Sequence, residues 1–314
     1  MQQRSLGSSG LKVSRLGLGT ATWGRGTDEH EARDQMIAFS ESGGTLVDSA
    51  SAYNDGQSET MLGRLIGDVV ARDEIVISTK AGISRRGGHR SVDTSRGHLL
   101  RSLEDSLTRL GTDHVDLWQV HMWSDDAPLE ETLAALDHAV SSGKATYIGI
   151  SNYAGWQTAQ AATWLRASGR TPLVSTQVQY SLLAREAEYD ILPAADANGL
   201  GLLAWSPLAG GVLTGKYRTG TPSDSRGAER DMASRVDAHL DGRGRSIVEA
   251  VCKAADGLGW QPLQVALAWL RDRPGVTAPI LGARTAAQLH TALAVESLAL
   301  PRELAAALDD VSAE

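Results

Sequence analysis

Residues 115–151, "VDLWQVHMWSDDAPLEETLAALDHAVSSGKATYIGIS", contain two short β-rich runs with a helical stretch between them. The β-rich runs are 115–120 and 147–151. The intervening "PLEETLAALDHAVSSG" has apolar residues at helical spacing and ends at Gly143, as a helix does. The segment is therefore predicted to form a β-α-β unit, in which the two strands are parallel.

The same alternation continues along the chain. Other β-rich runs lie at 15–19, 45–49, 75–79, 173–178, 201–205 and 278–282, with helical stretches between most of them. Most strand centres are about 26–40 residues apart, the length of one β-α-β unit. Eight strands alternating with helices favour a closed barrel over an open sheet. We predict an α/β fold, a (β/α)8 TIM barrel, with residues 1–314 forming a single domain.

Two segments depart from the regular alternation. Residues 2–17 resemble two short strands around Ser-Ser-Gly and predict an N-terminal β-hairpin that caps the bottom of the barrel. The seventh and eighth strands are about 75 residues apart, more than one β-α-β unit needs. We expect a polar loop at 219–244 there, followed by extra helices at 245–256 and 262–271.

Composition narrows the function classes. The chain has 314 residues, 42% of them hydrophobic, and a formal net charge of −8. No basic stripe is visible, so nucleic acid is not an expected partner. The sequence shows neither an apolar run of membrane-spanning length nor the apolar core of a signal peptide, which predicts a cytoplasmic protein with no membrane association. The single cysteine, Cys252, is predicted to be a small core residue.

Polar, titratable residues stand at three successive strand ends. Asp48 ends the second predicted strand, and Tyr53 follows in its loop. Lys80 ends the third strand and His121 the fourth. In a TIM barrel the carboxyl ends of the strands form the active-site face, so these four side chains are expected to lie near one another.

These four residue types suit proton transfer to an alkoxide. The ordinary pKa of tyrosine, near 10, is too high for efficient proton exchange at neutral pH. A neighbouring ammonium favours the phenolate, so Lys80 is expected to lower the pKa of Tyr53, with Asp48 keeping the lysine charged. His121 can donate to a substrate oxygen or relay a proton. No Ser-His or Cys-His partnership is apparent, which disfavours a nucleophilic hydrolase.

One stretch raises a different possibility. "GGVLTGKY", residues 210–217, has the glycine and lysine spacing of a phosphate-binding loop for nucleoside triphosphates, but Tyr217 stands where that motif needs Ser or Thr. A nucleotidase is therefore a weak alternative. The eight histidines show no ligand-like spacing, so no metal site is predicted.

The sequence resembles the aldo-keto reductase superfamily, from "GLGTATWG" near the start to "PILGARTAAQLHTAL" near the end. The resemblance implies a (β/α)8 barrel that binds NADPH or NADP+ without a Rossmann fold. The family's Asp, Tyr, Lys and His tetrad matches Asp48, Tyr53, Lys80 and His121. In such a tetrad, Tyr53 would be the general acid, tuned by Lys80 and Asp48, and His121 would orient the carbonyl.

The resemblance also implies cofactor-binding residues. Ser151, Asn152 and Gln177 would hold the nicotinamide carboxamide, and Trp205 would stack on the ring. "SPLAGGVLTGKY" would wrap the pyrophosphate, and Arg284 would pair with a 2′-phosphate. The complete set of expected cofactor-binding residues is Gly19, Thr20, Ser151, Asn152, Gln177, Trp205, Ser206, Leu208, Gly210, Lys216, Gly282, Arg284 and Gln288.

Three positions depart from the family pattern. Asn54 replaces the glycine that usually follows the tyrosine, a change that the left-handed tolerance of Asn can accommodate. Ala292 replaces an Asn that contacts adenine, which would weaken or shift cofactor binding. Trp118 replaces a common Tyr, with no expected catalytic effect.

The resemblance predicts an oxidoreductase that reduces an aldehyde or ketone, such as a keto sugar or a secondary metabolite, to its alcohol. Trp23 and Trp123, at strand ends one and four, are predicted to line the substrate pocket. The alternative is a cofactor-binding, redox-sensing subunit with little turnover. The physiological substrate, the direction of the reaction and the oligomeric state stay open.

Overall fold

Eight parallel strands close into a barrel, as the sequence predicts. The computed structural model of the protein describes residues 1–84 and 90–313. The strands are β1 (Gln3–Ser5), β2 (Lys12–Ser14), β3 (Gly17–Gly19), β4 (Leu46–Asp48), β5 (Val76–Ala81), β6 (Ile83–Ser84), β7 (Ser91–Val92), β8 (Val115–Val120), β9 (Ala145–Ser151), β10 (Leu173–Gln179), β11 (Gly201–Trp205) and β12 (Val276–Leu281). The barrel order is β3, β4, β5, β8, β9, β10, β11, β12 and back to β3.

Helices follow the barrel strands and surround them. They are α1 (Glu29–Glu41), α2 (Gln57–Leu65), α3 (Arg96–Leu110), α4 (Leu129–Ser141), α5 (Gly155–Ala167), α6 (Ile191–Ala197), α7 (Arg230–Asp237), α8 (Gly242–Leu258), α9 (Pro262–Arg271), α10 (Ala286–Leu293) and α11 (Arg302–Val311). None of the helices in the described part of the chain is long and apolar enough to cross a membrane.

The long segment between β11 and β12 contains the predicted extra helices. α9 has the expected bounds, whereas α8 begins three residues earlier than expected because Asp241 caps it, accepting a hydrogen bond from the Gly244 amide at 2.6 Å. The stretch expected to be a polar loop also contains α7. α7 is anchored by Val236, which is buried beside Val212 and Tyr217.

The N-terminal hairpin closes the bottom of the barrel. β1 and β2 pair in antiparallel register, as predicted. Leu6, next to β1, and Val13 in β2 are fully buried. They belong to one apolar cluster with side chains from the barrel strands: Leu46, Leu117, Val174, Leu203, Ala278 and Ile280. The hairpin therefore covers one end of the barrel with apolar packing.

The structure contains a second antiparallel pair of short strands that the sequence does not predict. β6 and β7 pair in antiparallel register just beyond the carboxyl end of β5. Each strand has only two residues, too few for an alternating pattern to be recognised.

Candidate functional site

Asp48 and Lys80 form a buried ion pair at the carboxyl ends of β4 and β5. The Lys80 Nζ donates to Asp48 Oδ2 at 2.7 Å and to the Ser49 carbonyl at 2.8 Å. The two side chains are only 1% and 2% exposed. Water cannot screen charges at that depth, so the attraction between them is stronger than in a surface pair.

Tyr53 lies beside this pair on a short 3-10 turn, Tyr53–Gly56. The Lys80 Nζ is 5.2 Å from the centre of the Tyr53 ring. Asn54 adopts left-handed angles, with φ 50° and ψ 45°, at the position where the resemblance leads one to expect glycine. Its side-chain amide donates to the Trp23 carbonyl at 2.6 Å, which helps to hold the turn. The departure from the family pattern is therefore accommodated.

The charge balance around Tyr53 differs from the expectation. Burial raises the pKa of the Tyr53 phenol above its ordinary value, and this outweighs the lowering effect of Lys80. Burial disfavours the charged form of Lys80, but Asp48 and Tyr53 raise the pKa of Lys80 above its ordinary value overall. At neutral pH the tyrosine thus holds its proton and the lysine its charge, the state that an acid for alkoxide protonation needs.

His121 completes the group. Its ring meets the Tyr53 ring edge to face, with centroids 5.7 Å apart and planes at 81°. Burial and the positive charges of Lys80 and Arg90 lower the pKa of His121 to about 3. Its Nδ1 is buried without a hydrogen-bond partner among the described residues. The imidazole is therefore neutral at neutral pH and can donate one N–H, but it does not carry a charge.

The residues expected to hold a carboxamide are brought together next to the tetrad. Asn152, at φ 57°, donates to the His121 carbonyl at 2.9 Å, and its Oδ1 accepts from Trp205 Nε1 at 3.0 Å. The Ser151 hydroxyl donates to the Gln177 carbonyl at 2.8 Å. β9, β10 and β11 thus present their carboxyl ends as one polar patch.

Gln177 has a second partner that the sequence does not suggest. Its Nε2 donates to Asp48 Oδ1 at 2.9 Å, although the two residues are 129 apart in the chain. β4 and β10 are not neighbours in the barrel. The contact therefore crosses the barrel interior and links the expected carboxamide patch directly to the tetrad.

After β11 the backbone turns back on itself repeatedly. Ser206, Ala209, Gly210 and Gly211 all have φ between 48° and 93°. A Cβ at Gly211 would lie 2.9 Å from Lys216 Nζ, so the lack of a side chain there lets the Lys216 ammonium lie against the turn. Leu208 is half-buried at the base of this turn. A backbone that bends this way can direct N–H groups into a concavity that suits anions.

Tyr217 has a structural role in this region. Its hydroxyl donates to the Gly210 carbonyl at 3.4 Å and accepts from the Gly227 amide at 3.0 Å. It thus ties the turn after β11 to the segment at 219–244. The ring is almost fully buried and its hydroxyl is engaged by these two backbone groups, so Tyr217 does not act as the Ser or Thr of a phosphate-binding loop would.

Arg284 lies after β12, at the far end of the expected cofactor site. Its guanidinium faces Glu229 Oε1 at 3.4 Å and donates to the Asp224 carbonyl. Its backbone amide donates to Gln288 Oε1 at 3.0 Å. Arg226 donates to the Gly282 carbonyl at 3.0 Å and contributes a second positive charge. Sequence reasoning missed Glu229 and Arg226, because the Gly- and Arg-rich stretch that contains them carries no periodic signal.

Three residues named in the sequence analysis are buried. Thr20 is fully buried, and its hydroxyl contacts Ser58 Oγ at 2.6 Å and the Asp48 carbonyl at 3.2 Å. Gly19 packs against Ile280, and a Cβ there would lie 2.7 Å from Ile280 Cγ2. Ala292, the departure at the adenine end, is buried in α10. These positions shape the site through packing.

The two tryptophans predicted to line a pocket have different environments. Trp23 is fully buried, and its Nε1 donates to Gln35 Oε1 at 3.0 Å. This is a core position, so direct contact with a substrate would require a rearrangement. Trp123 is only partly buried. Its Nε1 donates to Asp125 at 2.7 Å, and its ring meets Tyr153 and Trp156 edge to face at 5.1 and 5.5 Å.

No group of three or more histidine, cysteine or acidic side chains that could hold a metal ion occurs in residues 1–84 and 90–313. Cys252 is buried, as expected of a core residue.

Comparison with known proteins identifies one matching family and several similar proteins. Residues 15–313 match the model of the aldo/keto reductase family. The chain is 37% identical to L-glyceraldehyde 3-phosphate reductase of Escherichia coli K12, over 92% of this chain and 86% of that protein. It is 36% identical to a probable voltage-gated potassium channel subunit beta of Arabidopsis thaliana, over 92% and 89%. It is 30% identical to norsolorinic acid reductase of Aspergillus flavus, over 96% and 79%.

Proposed function

Because this chain belongs to the aldo/keto reductase family and is an oxidoreductase, we propose that it reduces an aldehyde or ketone to the alcohol with NADPH. Members of the family act on small carbonyl substrates and generally use NADP(H). The finer assignment to NADPH, and the roles given to individual residues below, are part of the proposal.

The observation that carries the proposal is the arrangement of four side chains: the buried Asp48–Lys80 ion pair, with the Tyr53 and His121 rings beside it. Tyr53 keeps its proton because it is desolvated, and Lys80 keeps its charge because Asp48 pairs with it at 2.7 Å, so that the pKa of each is raised. His121 is neutral and lies edge to face with Tyr53. A protonated phenol beside a cation and a neutral imidazole suits the transfer of a proton to an oxygen that is gaining negative charge.

The chain offers a fitting site for a dinucleotide. Asn152 and Gln177 present amide groups beside the tetrad, and Trp205 supplies a ring next to Asn152. The Lys216 ammonium lies against the turn at 206–211, where a Cβ at Gly211 would be 2.9 Å from Lys216 Nζ, so a cation stands beside this turn. Arg284 and Arg226 supply two guanidinium groups at the far end, which suit a 2′-phosphate. The bound cofactor would supply the hydride that reaches the carbonyl carbon.

The protein's own residues would then bind the carbonyl oxygen of the substrate and protonate it. His121 would donate an N–H to the carbonyl oxygen and hold it near Tyr53. Its Nδ1 is buried, with no hydrogen-bond partner among the described residues, and we assign the bond to Nε2. Tyr53 would deliver its proton to the oxygen as negative charge develops there. The Lys80 ammonium would stabilise the resulting phenolate, and Asp48 would hold the lysine in place.

We further propose that the substrate carries a ring or a flat apolar body next to its carbonyl. Trp123 follows His121 by two residues and forms an aromatic group with Tyr153 and Trp156. Trp156 is 62% exposed at the start of α5, beyond the carboxyl end of β9. Such a wall suits stacking with an aromatic compound or the apolar face of a sugar. The similarity to a reductase named for norsolorinic acid is compatible with this class.

A panel of carbonyl compounds, followed by the loss of NADPH absorbance, tests the proposal. We expect ring-bearing aldehydes and ketones to be reduced with lower KM than short aliphatic aldehydes. Absence of turnover across the whole panel, with NADPH still bound, would contradict the assignment of a reductase.

A second candidate is a redox-sensing subunit that couples cofactor occupancy to a partner. The similarity to a protein named as a potassium channel subunit favours it. Tight NADPH binding with very slow turnover on all carbonyls would support this function. Turnover of a carbonyl at rates usual for enzymes, on the order of 1 s⁻¹ or faster, would argue against it.

A further inference from the structure

Asp48 is the end of a buried hydrogen-bond chain that runs through the barrel interior. The Ser78 hydroxyl lies 3.0 Å from Asp48 Oδ1, and Gln119 Nε2 lies 2.9 Å from Ser78 Oγ. Ser175 Oγ lies 3.4 Å from Gln119 Oε1. The chain starts on β10, passes through β8 and β5, and ends on β4. We call it the interior relay; its members are Ser175, Gln119, Ser78 and Asp48.

The direction of each bond in the interior relay is fixed by the groups themselves. An amide nitrogen can only donate, so the Ser78 oxygen must accept from Gln119. The Ser78 proton is then directed at Asp48. Gln119 is oriented in turn, because Ser175 donates to its amide oxygen. Every group in the relay is fully or almost fully buried, so water does not compete for these bonds.

The barrel makes room for this relay at one glycine. Gly149 on β9 lies between β8 and β10. A Cβ there would lie 2.1 Å from Ser175 Oγ and 3.2 Å from Gln119 Cγ. Any larger residue at 149 would displace the contact between Ser175 and Gln119.

We propose that Gln119 is a positioning residue for the tetrad, acting through Ser78 to hold the Asp48 carboxylate as an oriented anion facing Lys80. Asp48 then receives donors from Ser78, Gln177 and Lys80 and donates to none of them. The three donors fix the orientation of this carboxylate towards Lys80. This inference rests on the proposed function, since it assigns the relay a role in tuning the proposed general acid.

The groups that face Asp48 define the expected effect. Lys80 and Tyr53 are its charged and titratable neighbours, and Asp48 raises the pKa of both. The pKa of His121 is lowered by Lys80, and the imidazole is already neutral. If Asp48 turns away or is neutralised, the Lys80–Tyr53 pair is expected to lose its first proton at lower pH.

Two variants test the inference. Gln119→Met keeps the approximate volume of the side chain but removes the amide that donates to Ser78. Ser78→Ala removes the hydroxyl that donates to Asp48. The titration of Tyr53 is followed by ultraviolet difference spectra, with Tyr53→Phe identifying its contribution, so the readout does not depend on turnover. Both variants should shift this titration to lower pH. In reduction assays, kcat should fall about 3- to 10-fold, the effect of one neutral hydrogen bond, with NADPH affinity unchanged.

Two controls sharpen the result. Ser175→Ala removes only the long contact at the far end of the relay and should change kcat less than about twofold. The double variant Gln119→Met with Ser78→Ala should be no worse than Ser78→Ala alone, because both act through one hydroxyl.

Additive losses in the double variant, or an unmoved Tyr53 titration in both single variants, would overturn the inference. If Gln119→Met fails to fold, Ser78→Ala still tests the inference. An unchanged Tyr53 titration in Ser78→Ala alone would overturn it. A wild-type protein without turnover would instead contradict the proposed function, while the titration would still test the relay.

Discussion

The two ends of the candidate site are held in different ways. At the tetrad end, Asp48 and Lys80 are fixed by hydrogen bonds between strands and are almost completely buried. At the other end, Arg284 is 21% exposed and pairs with Glu229, which is 34% exposed and belongs to a long connecting segment. Buried groups on strands keep their geometry, whereas partly exposed ion pairs on loops are weak and can exchange partners. We call the first the rigid end of the candidate site and the second its exchangeable end.

The substitution Tyr53→Phe is expected to have the largest effect, at the rigid end. It removes the proposed acid while keeping the ring that packs against His121. Carbonyl reduction should fall about 10²- to 10⁴-fold, the usual contribution of general acid catalysis. NADPH binding, measured by tryptophan fluorescence, should persist. A variant that turns over as fast as the wild type would remove Tyr53 from the mechanism.

Lys80→Met tests whether the rigid end depends on its ion pair. The substitution leaves Asp48 buried with only neutral donors, and breaking a buried pair in this way typically costs about 3–5 kcal/mol. A lower midpoint of chemical unfolding should report this loss, and activity should be lost with it. As a matched comparison, Asp68→Asn breaks the exposed pair with Arg33 and should cost at most about 1 kcal/mol. Equal losses of unfolding free energy in Lys80→Met and Asp68→Asn would show that the buried ion pair is no more important for stability than the exposed one.

Arg284→Ala tests the exchangeable end. It should weaken NADPH binding about 10- to 100-fold, since a hydrogen bond to a charged group contributes about 1.5–3 kcal/mol, and leave NADH binding nearly unchanged. Glu229→Gln should act in the opposite direction, raising NADPH affinity by at most about fivefold because it removes a competing carboxylate. An unaltered ratio of NADPH to NADH affinity in Arg284→Ala would refute the assignment of the 2′-phosphate site.

The last prediction concerns acid stability at the rigid end. The folded pKa of His121 is about 3, below the ordinary 6.5 of histidine. Between these values the unfolded chain binds a proton that the folded chain does not, so stability falls as pH falls from 6.5 towards 3. The loss is at most about 1.4 kcal/mol per pH unit. Thermal unfolding at pH 7 and 5 should therefore show a smaller loss for His121→Asn than for the wild type. The same substitution at the exposed His138 provides the matched surface control.

The sequence predicts the barrel well because its signals are local. Strand and helix patterns alternate, and barrel geometry places Asp48, Lys80 and His121 on one face without further information. The left-handed turn at Asn54 is also foreseeable from the residue type. These features depend on near neighbours in the chain or on a rule that holds for every such barrel.

Contacts across the barrel interior could not be predicted in the same way. The bond from Gln177 to Asp48 joins residues on strands that are not adjacent, and no periodic pattern reports it. The burial of Trp23 depends equally on packing in three dimensions. The pKa of Tyr53 rises because burial outweighs the effect of Lys80, and that balance can be judged only once the depth of the phenol is known.

The hairpin below the barrel has a practical consequence for protein engineering. Leu6 and Val13 are fully buried against side chains from the barrel strands. Gly7 sits so close to the chain near β11 that a Cβ there would lie 2.4 Å from the Gly199 carbonyl oxygen. A truncation that removes residues 1–15 would expose the apolar side chains of the barrel strands to solvent. An exposed apolar surface of this kind favours aggregation. Fusion partners and surface mutations are better placed elsewhere, for example on the exposed faces of the outer helices.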